Sequence, residues 1–180
     1  SLALGSMGKA RELSGDLKSA LDLTMKAILK ASSVDSDTSL MRFHWQAGRI
    51  LGKIGRIDEA VESCREAVYH LEKIRPEISS ECRGNSLAFR EIIQPVYNEL
   101  ISLLLKRAES RQHNISDLDE VIKTVEKLKT EEIKDYFRDD CITSMQSSIS
   151  DKNGIPAGTS VIYPVIMPEE LVILVKSGEK

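Results

Sequence analysis

GRIDEAVESCREAVYHLEKIRP, residues 55 to 76, opens on a glycine and closes on a proline. Between them lies an amphipathic helical pattern. Asp58 and Glu59 fall in its first turn, where the helix dipole favours negative charge. Ala60 and Ala67 are seven apart, two turns along one side, and leave room for a neighbouring helix to come close. An earlier run, GDLKSALDLTMKAILKAS at residues 15 to 32, carries the same punctuation as Gly15, Ala20 and Ala27. From Gly15 to Gly55 is a step of 40 residues. Repetition at about 20–50 residues is the mark of stacked structural repeats.

Composition agrees with helix-on-helix packing. Of the 180 residues, 41% are hydrophobic and 29% charged, but only 4% are aromatic, which suits helical layers better than a β-sandwich. This length implies one domain with room for a small appendage. The net charge of −3 argues against a nucleic-acid or anionic-membrane partner, either of which calls for a concentrated basic face. No apolar run approaches the roughly 20 residues needed to span a bilayer. Three cysteines at wide spacing, Cys64, Cys82 and Cys141, argue against a disulfide framework and favour a cytoplasmic setting. The opening residues SLALGSMGK read as an expression leader over residues 1–7, so that the chain proper begins partway through a repeat.

Along the chain, Leu13, Leu17, Leu21, Met25 and Ile28 recur at helical steps. A stub of helix, a turn at Gly15 and a helix over 16–31 follow from this. A polar loop over 32–38 leads to a helix over 39–54, with Phe43, Ala47, Ile50, Leu51 and Ile54 on its buried side. Gly48 allows a close crossing there, and Gly55 ends the helix. The next helix runs over 56–74 and stops at Pro76, before a loop over 77–84. A long pattern over 86–109 contains Pro95 and predicts a kink near Ile92. A helix over 117–129 buries Leu118, Val121, Ile122, Val125 and Leu128, and TEEIKDYFRDD adds a short helical piece. Residues 8–142 form the helical domain on this reading, and residues 143–159 a linker. Over 160–180, VIYPVIMP and ELVILV read as two strands of a hairpin.

Chemistry is sparse. Cys64 falls among apolar neighbours and reads as a packing thiol. Cys141 follows two aspartates, which raise a thiol's pKa. Cys82, near Arg83, has the most favourable surroundings for a reactive thiolate, but a nucleophilic pair with His113 needs two loops to meet. His44, His70 and His113 lack metal-ligand spacing, and Asp135, Asp139 and Asp140 read as solvated helix-end charges. No phosphate loop is present, and no cofactor is implied. The remaining surface is that of the helices themselves. Arg42, Gln46 and Arg49, one turn apart, can hold a peptide carboxylate or backbone; His44 and Trp45 lie beside them.

The helix pairs resemble the tetratricopeptide repeat. Gly48, Gly55, Asp58, Glu59, Ala60, Ala67 and Pro76 match its pattern in one unit, and Gly8, Gly15, Ala20 and Ala27 match it in part in the unit before. Leu118 to Val121 and Leu128 echo it in a degenerate third, which lacks the small residues. The resemblance implies an all-α solenoid of antiparallel helix pairs. FREIIQPVYNELISLLLKRAES, VEKLKTEEIKDYFRDDC and SVIYPVIMPEELVILV, in that order, are similar to the region that joins such repeats to a CHAT domain, a caspase-like peptidase module of bacterial proteins. This implies that the hairpin begins the CHAT sheet. The histidine and cysteine of that family match nothing here and are expected beyond Lys180. The expected function is a non-catalytic scaffold that binds a protein or peptide. A free-standing adaptor that forms a homodimer through its strands is the alternative, and a thiol hydrolase using Cys82 or Cys141 is a third reading.

Overall fold

A computed structural model describes residues 1–81, 89–112, 114–137, 155–167 and 170–178. Among them the chain is mostly helical, with one small antiparallel sheet. The elements are α1 (Leu2–Leu13), α2 (Leu17–Ser32), α3 (Asp37–Ile54), α4 (Ile57–Glu81), a π turn (Phe89–Ile93), α5 (Gln94–Ser110), α6 (Ile115–Phe137), β1 (Ser160–Ile166) and β2 (Leu171–Ser177). Two compact units, Ser1–Val121 and Ile122–Lys180, divide within α6.

In the first unit each helix packs on the next from α1 to α5, and α1 also touches α3, as α3 touches α5. The 40-residue step is reproduced in geometry. Gly15 and Gly55 both take left-handed backbone, with φ of 83° and 89°. Each stands just past a helix, where a side chain at that φ is strained. Asp16 N donates to Arg11 O and Arg56 N to Leu51 O, both at 3.0 Å, so each turn closes with the same long-reach bond. The Asp16 carboxylate then caps α2 by accepting from Ser19 N at 3.2 Å.

The crossings repeat as well. A methyl group added at Gly8 would meet Thr24 Oγ1 at 2.8 Å and Ala20 O at 3.3 Å. One added at Gly48 would collide with Cys64 Sγ and lie 3.3 Å from Ala60 O. Thr24 and Cys64 are again 40 apart. Ala20, Thr24, Ala27 and Ala31 are fully buried, as are Ala60, Cys64 and Ala67. The core of α2 is thus a stripe of small side chains. The bulkier Leu13 and Met25 of the expected stripe are exposed, and so is Ile54 on α3.

Several boundaries differ from expectation. The first seven residues are not separate from the fold: α1 begins at Leu2, and a Cβ at Gly5 would strike the Phe43 ring. α4 does not stop at Pro76 but runs to Glu81. A proline inside a helix costs about 3 kcal/mol, a penalty and not a prohibition. Buried Leu71 and Ile74, just before it, sit on a helix packed against α5. Near Ile92 the expected irregularity takes the form of the π turn, whose Phe89 and Ile93 are buried. Pro95 then occupies the first turn of α5, where a missing N–H costs little. α6 absorbs the expected short piece up to Phe137. Asn114 accepts from Ser116 N and Asp117 N to start it. The second unit holds β1 and β2, paired antiparallel from Ser160 with Ser177 to Ile166 with Leu171. Residues 82–84 of the expected loop and 143–154 of the expected linker lie outside the described residues. No described helix is long and apolar enough to cross a membrane.

Gly48→Ala is expected to lower unfolding free energy by about 1–3 kcal/mol, because neither Cys64 nor the Ala60 carbonyl has room to yield. In a Cys64→Ala background the same change should cost less. Urea titrations of the four members of this cycle check the coupling; strict additivity would contradict the close crossing.

Candidate functional site

α3 carries the residues expected to bind a partner, and its neighbours sort them. Arg42, Trp45 and Arg49 recur at three and four residues and share one stripe. Arg42 is exposed. The Arg49 guanidinium lies over the Trp45 ring, 4.6 Å from its centroid. The Trp45 Nε1–H is buried and finds no acceptor among the described residues. Gln46 leaves this stripe. It is buried, and its Nε2 donates to Thr24 Oγ1 at 2.8 Å and Gly5 O at 3.3 Å, so its amide joins α1, α2 and α3 and is not on offer to a ligand. His44 turns toward α4 and stacks on His70, with ring centroids 5.7 Å apart.

Charges from three helices gather around Arg49. Glu12 of α1 is buried and accepts from Lys53 Nζ at 2.7 Å and from Arg49 Nη2 at 3.3 Å. Burial raises its pKa, but the hydrogen bonds and charges of Lys53 and Arg49 together outweigh burial and hold it below the usual value. Glu99 of α5 is set the other way. Burial raises it, Arg49, Lys106 and Lys53 pull it down, Glu12 pushes it up, and the net position is above the usual carboxylate value. Sequence reading missed Glu12, Lys53, Glu99 and Lys106. Glu12 falls one turn after Gly8, on the side already marked as a contact by that glycine, and this was the available signal.

Elsewhere the polar groups read as structural ties. His70 Nδ1 shares a 2.6 Å hydrogen bond with Asp37 Oδ1, and Lys73 Nζ approaches the same oxygen at 3.4 Å, so the start of α3 is fastened to α4. Burial and then the charge of His70 lower the pKa of His44. Arg107 and Asp117, both buried, pair at 2.7 Å and tie α5 to the start of α6. An open cleft of about 610 Å³ is lined by Leu21, Met25 and Leu51 together with Arg56, Arg107 and Arg111. Each of these arginines is already paired, with Glu59, Asp117 and Asp58 respectively, so their charges are matched within the fold. Cys64 is buried, and burial pushes its thiol far above the range of a reactive thiolate. No group of three metal-ligating side chains occurs among the described residues. Cys82, His113, Asp139, Asp140 and Cys141 lie outside them. No protein-family model and no curated protein matches this chain.

Glu12 and Glu99 should respond oppositely to loss of charge. The lowered pKa of Glu12 supplies stability that is present above the usual carboxylate range and lost as pH falls through its folded-state value. Glu12→Gln should therefore cost about 1–3 kcal/mol near neutral pH, and less in acid. The raised pKa of Glu99 makes its ionisation unfavourable to the fold, so Glu99→Gln should stabilise at neutral pH and change little in acid. Denaturation curves at pH 7 and in acid distinguish these signs.

Proposed function

We propose that the helical unit is a non-catalytic interaction scaffold of tetratricopeptide-like hairpins, and that it holds an extended acidic peptide along the stripe where α1, α3 and α5 bring their charges together. The observation that carries this reading is the duplicated crossing, Gly8 over Ala20 and Thr24, then Gly48 over Ala60 and Cys64. Such repetition supports a stack of like units, and stacked helical units use one continuous face to hold extended chains. The charge balance of that face supports the class of ligand. Arg42 and Lys106 are exposed, and Lys53 is half-exposed while bound to Glu12. An incoming carboxylate meets these cations on the side of α3 that carries Trp45 and Arg49. The wider reading, that α5, α6 and the hairpin form a junction resembling the approach to a CHAT domain, is supported by the antiparallel pair over Ser160–Ser177 in the place where that resemblance expects strands.

Trp45 is the sole tryptophan of the chain and reports directly on the stripe. Titration with an array of acidic and basic peptides should change its emission with acidic members alone. Arg42→Glu and Lys106→Glu should each weaken the best acidic peptide by about tenfold or more, and added salt should do likewise. An emission insensitive to every peptide, or affinities untouched by both variants, would overturn the proposal.

A further inference from the structure

The β1–β2 hairpin divides its side chains cleanly between two faces. Its register sets Ile162 opposite Val175, Pro164 opposite Ile173 and Ile166 opposite Leu171 on one face. The alternate pairs, Val161 with Lys176, Tyr163 with Leu174 and Val165 with Val172, form the other. That second face is covered toward its turn, where Val165 is buried and Tyr163 donates its hydroxyl to Glu126 of α6 at 3.0 Å, while Val161 and Lys176 at its open end are exposed. The first face is bare. Its Ile162, Ile166, Leu171, Ile173 and Val175 are 59–79% exposed, and Pro164 is exposed too.

Six contiguous apolar side chains without one charge make an unusual surface for water. Their exposed area is on the order of 600 Å², at the upper end of the largest patch an ordinary monomer shows. From this face we infer that the chain self-associates by stacking the hairpins of two copies face to face, forming a two-layer, four-stranded sandwich. Both area and chemistry favour a second copy. Burying the patch on both partners removes about 1,200 Å² in total, the lower bound of a specific interface. A two-fold contact sets the same patch against itself, and a patch free of charge meets its own copy without burying an unpaired ion. The branched aliphatic rows interdigitate at the usual spacing of stacked sheets, about 10 Å. Two strands alone are marginal in water, and a second layer supplies the missing burial. This inference is independent of the peptide-binding proposal, since no residue of the stripe takes part.

Sedimentation velocity over roughly 1–300 µM reads the association constant directly. The wild type should pass from monomer to dimer within that range. Ile173→Glu, at the centre of the face, should weaken association by at least about tenfold. Ile173→Thr keeps a strand-forming side chain and should weaken it by a smaller factor, which separates loss of the face from loss of the hairpin. Leu13→Glu, which changes an exposed leucine on α1, should leave association unchanged. A wild type that stays monomeric throughout would overturn the inference and leave the face to a different protein. A dimer indifferent to both Ile173 variants would equally overturn it.

Discussion

The first unit depends on how closely two helix backbones come together at Gly8 and Gly48. Neither position can add a methyl group without meeting a side chain of the facing helix and approaching an alanine carbonyl. Contact at that distance puts backbone against backbone and replaces large interlocking side chains with Ala20, Ala27, Ala60 and Ala67. It also explains the boundaries. The glycine turns at Gly15 and Gly55 reverse the chain sharply enough to bring the next small-residue stripe back onto the last helix. Among the described residues beyond α4 no glycine sits at such a helix crossing, and the α5–α6 junction carries the buried Arg107–Asp117 pair instead. Charge pairs of that kind are sensitive to each partner's removal in a way that alanine stripes are not.

Much of this architecture was legible in residue order. Glycine with positive φ, alanines two turns apart and a 40-residue step are local signals, and each survives as a local feature of the structure. Which side of a helix faces inward was harder to read. Leu13 and Met25 look like core residues, but the close crossing turns the alanine side inward and leaves them outside. Gln46 shows the same failure from the other direction. It sits one residue from Trp45, and about 100° of rotation carries it from the open stripe into the seam with Thr24 and Gly5. Pro76 misled for a different reason. Its penalty is local, while the packing that overrides it involves α5, distant in sequence. The meeting of Glu12 with Arg49 and Lys53 spans about 40 residues, and nothing in either helix alone announces it.

The stripe beside Trp45 places two acidic groups near the same cations with opposite results. Glu12 has direct hydrogen bonds to Arg49 and Lys53, and these exceed the cost of leaving water. Glu99 feels the same cations only at a distance, and burial prevails. Contact geometry, more than the number of nearby charges, decides the sign. A peptide carboxylate arriving there would face the same choice, and full engagement of Arg49 would require it to displace or share Glu12.

Cys64 has a consequence of its own. Its sulfur lies beneath Gly48, fully buried, at a close crossing of α3 and α4. A small alkylating reagent reaches that sulfur only when the two helices part. Its modification rate is therefore a clock for local opening, read without adding a probe, and tells whether the hairpin breathes alone or only when the whole unit unfolds.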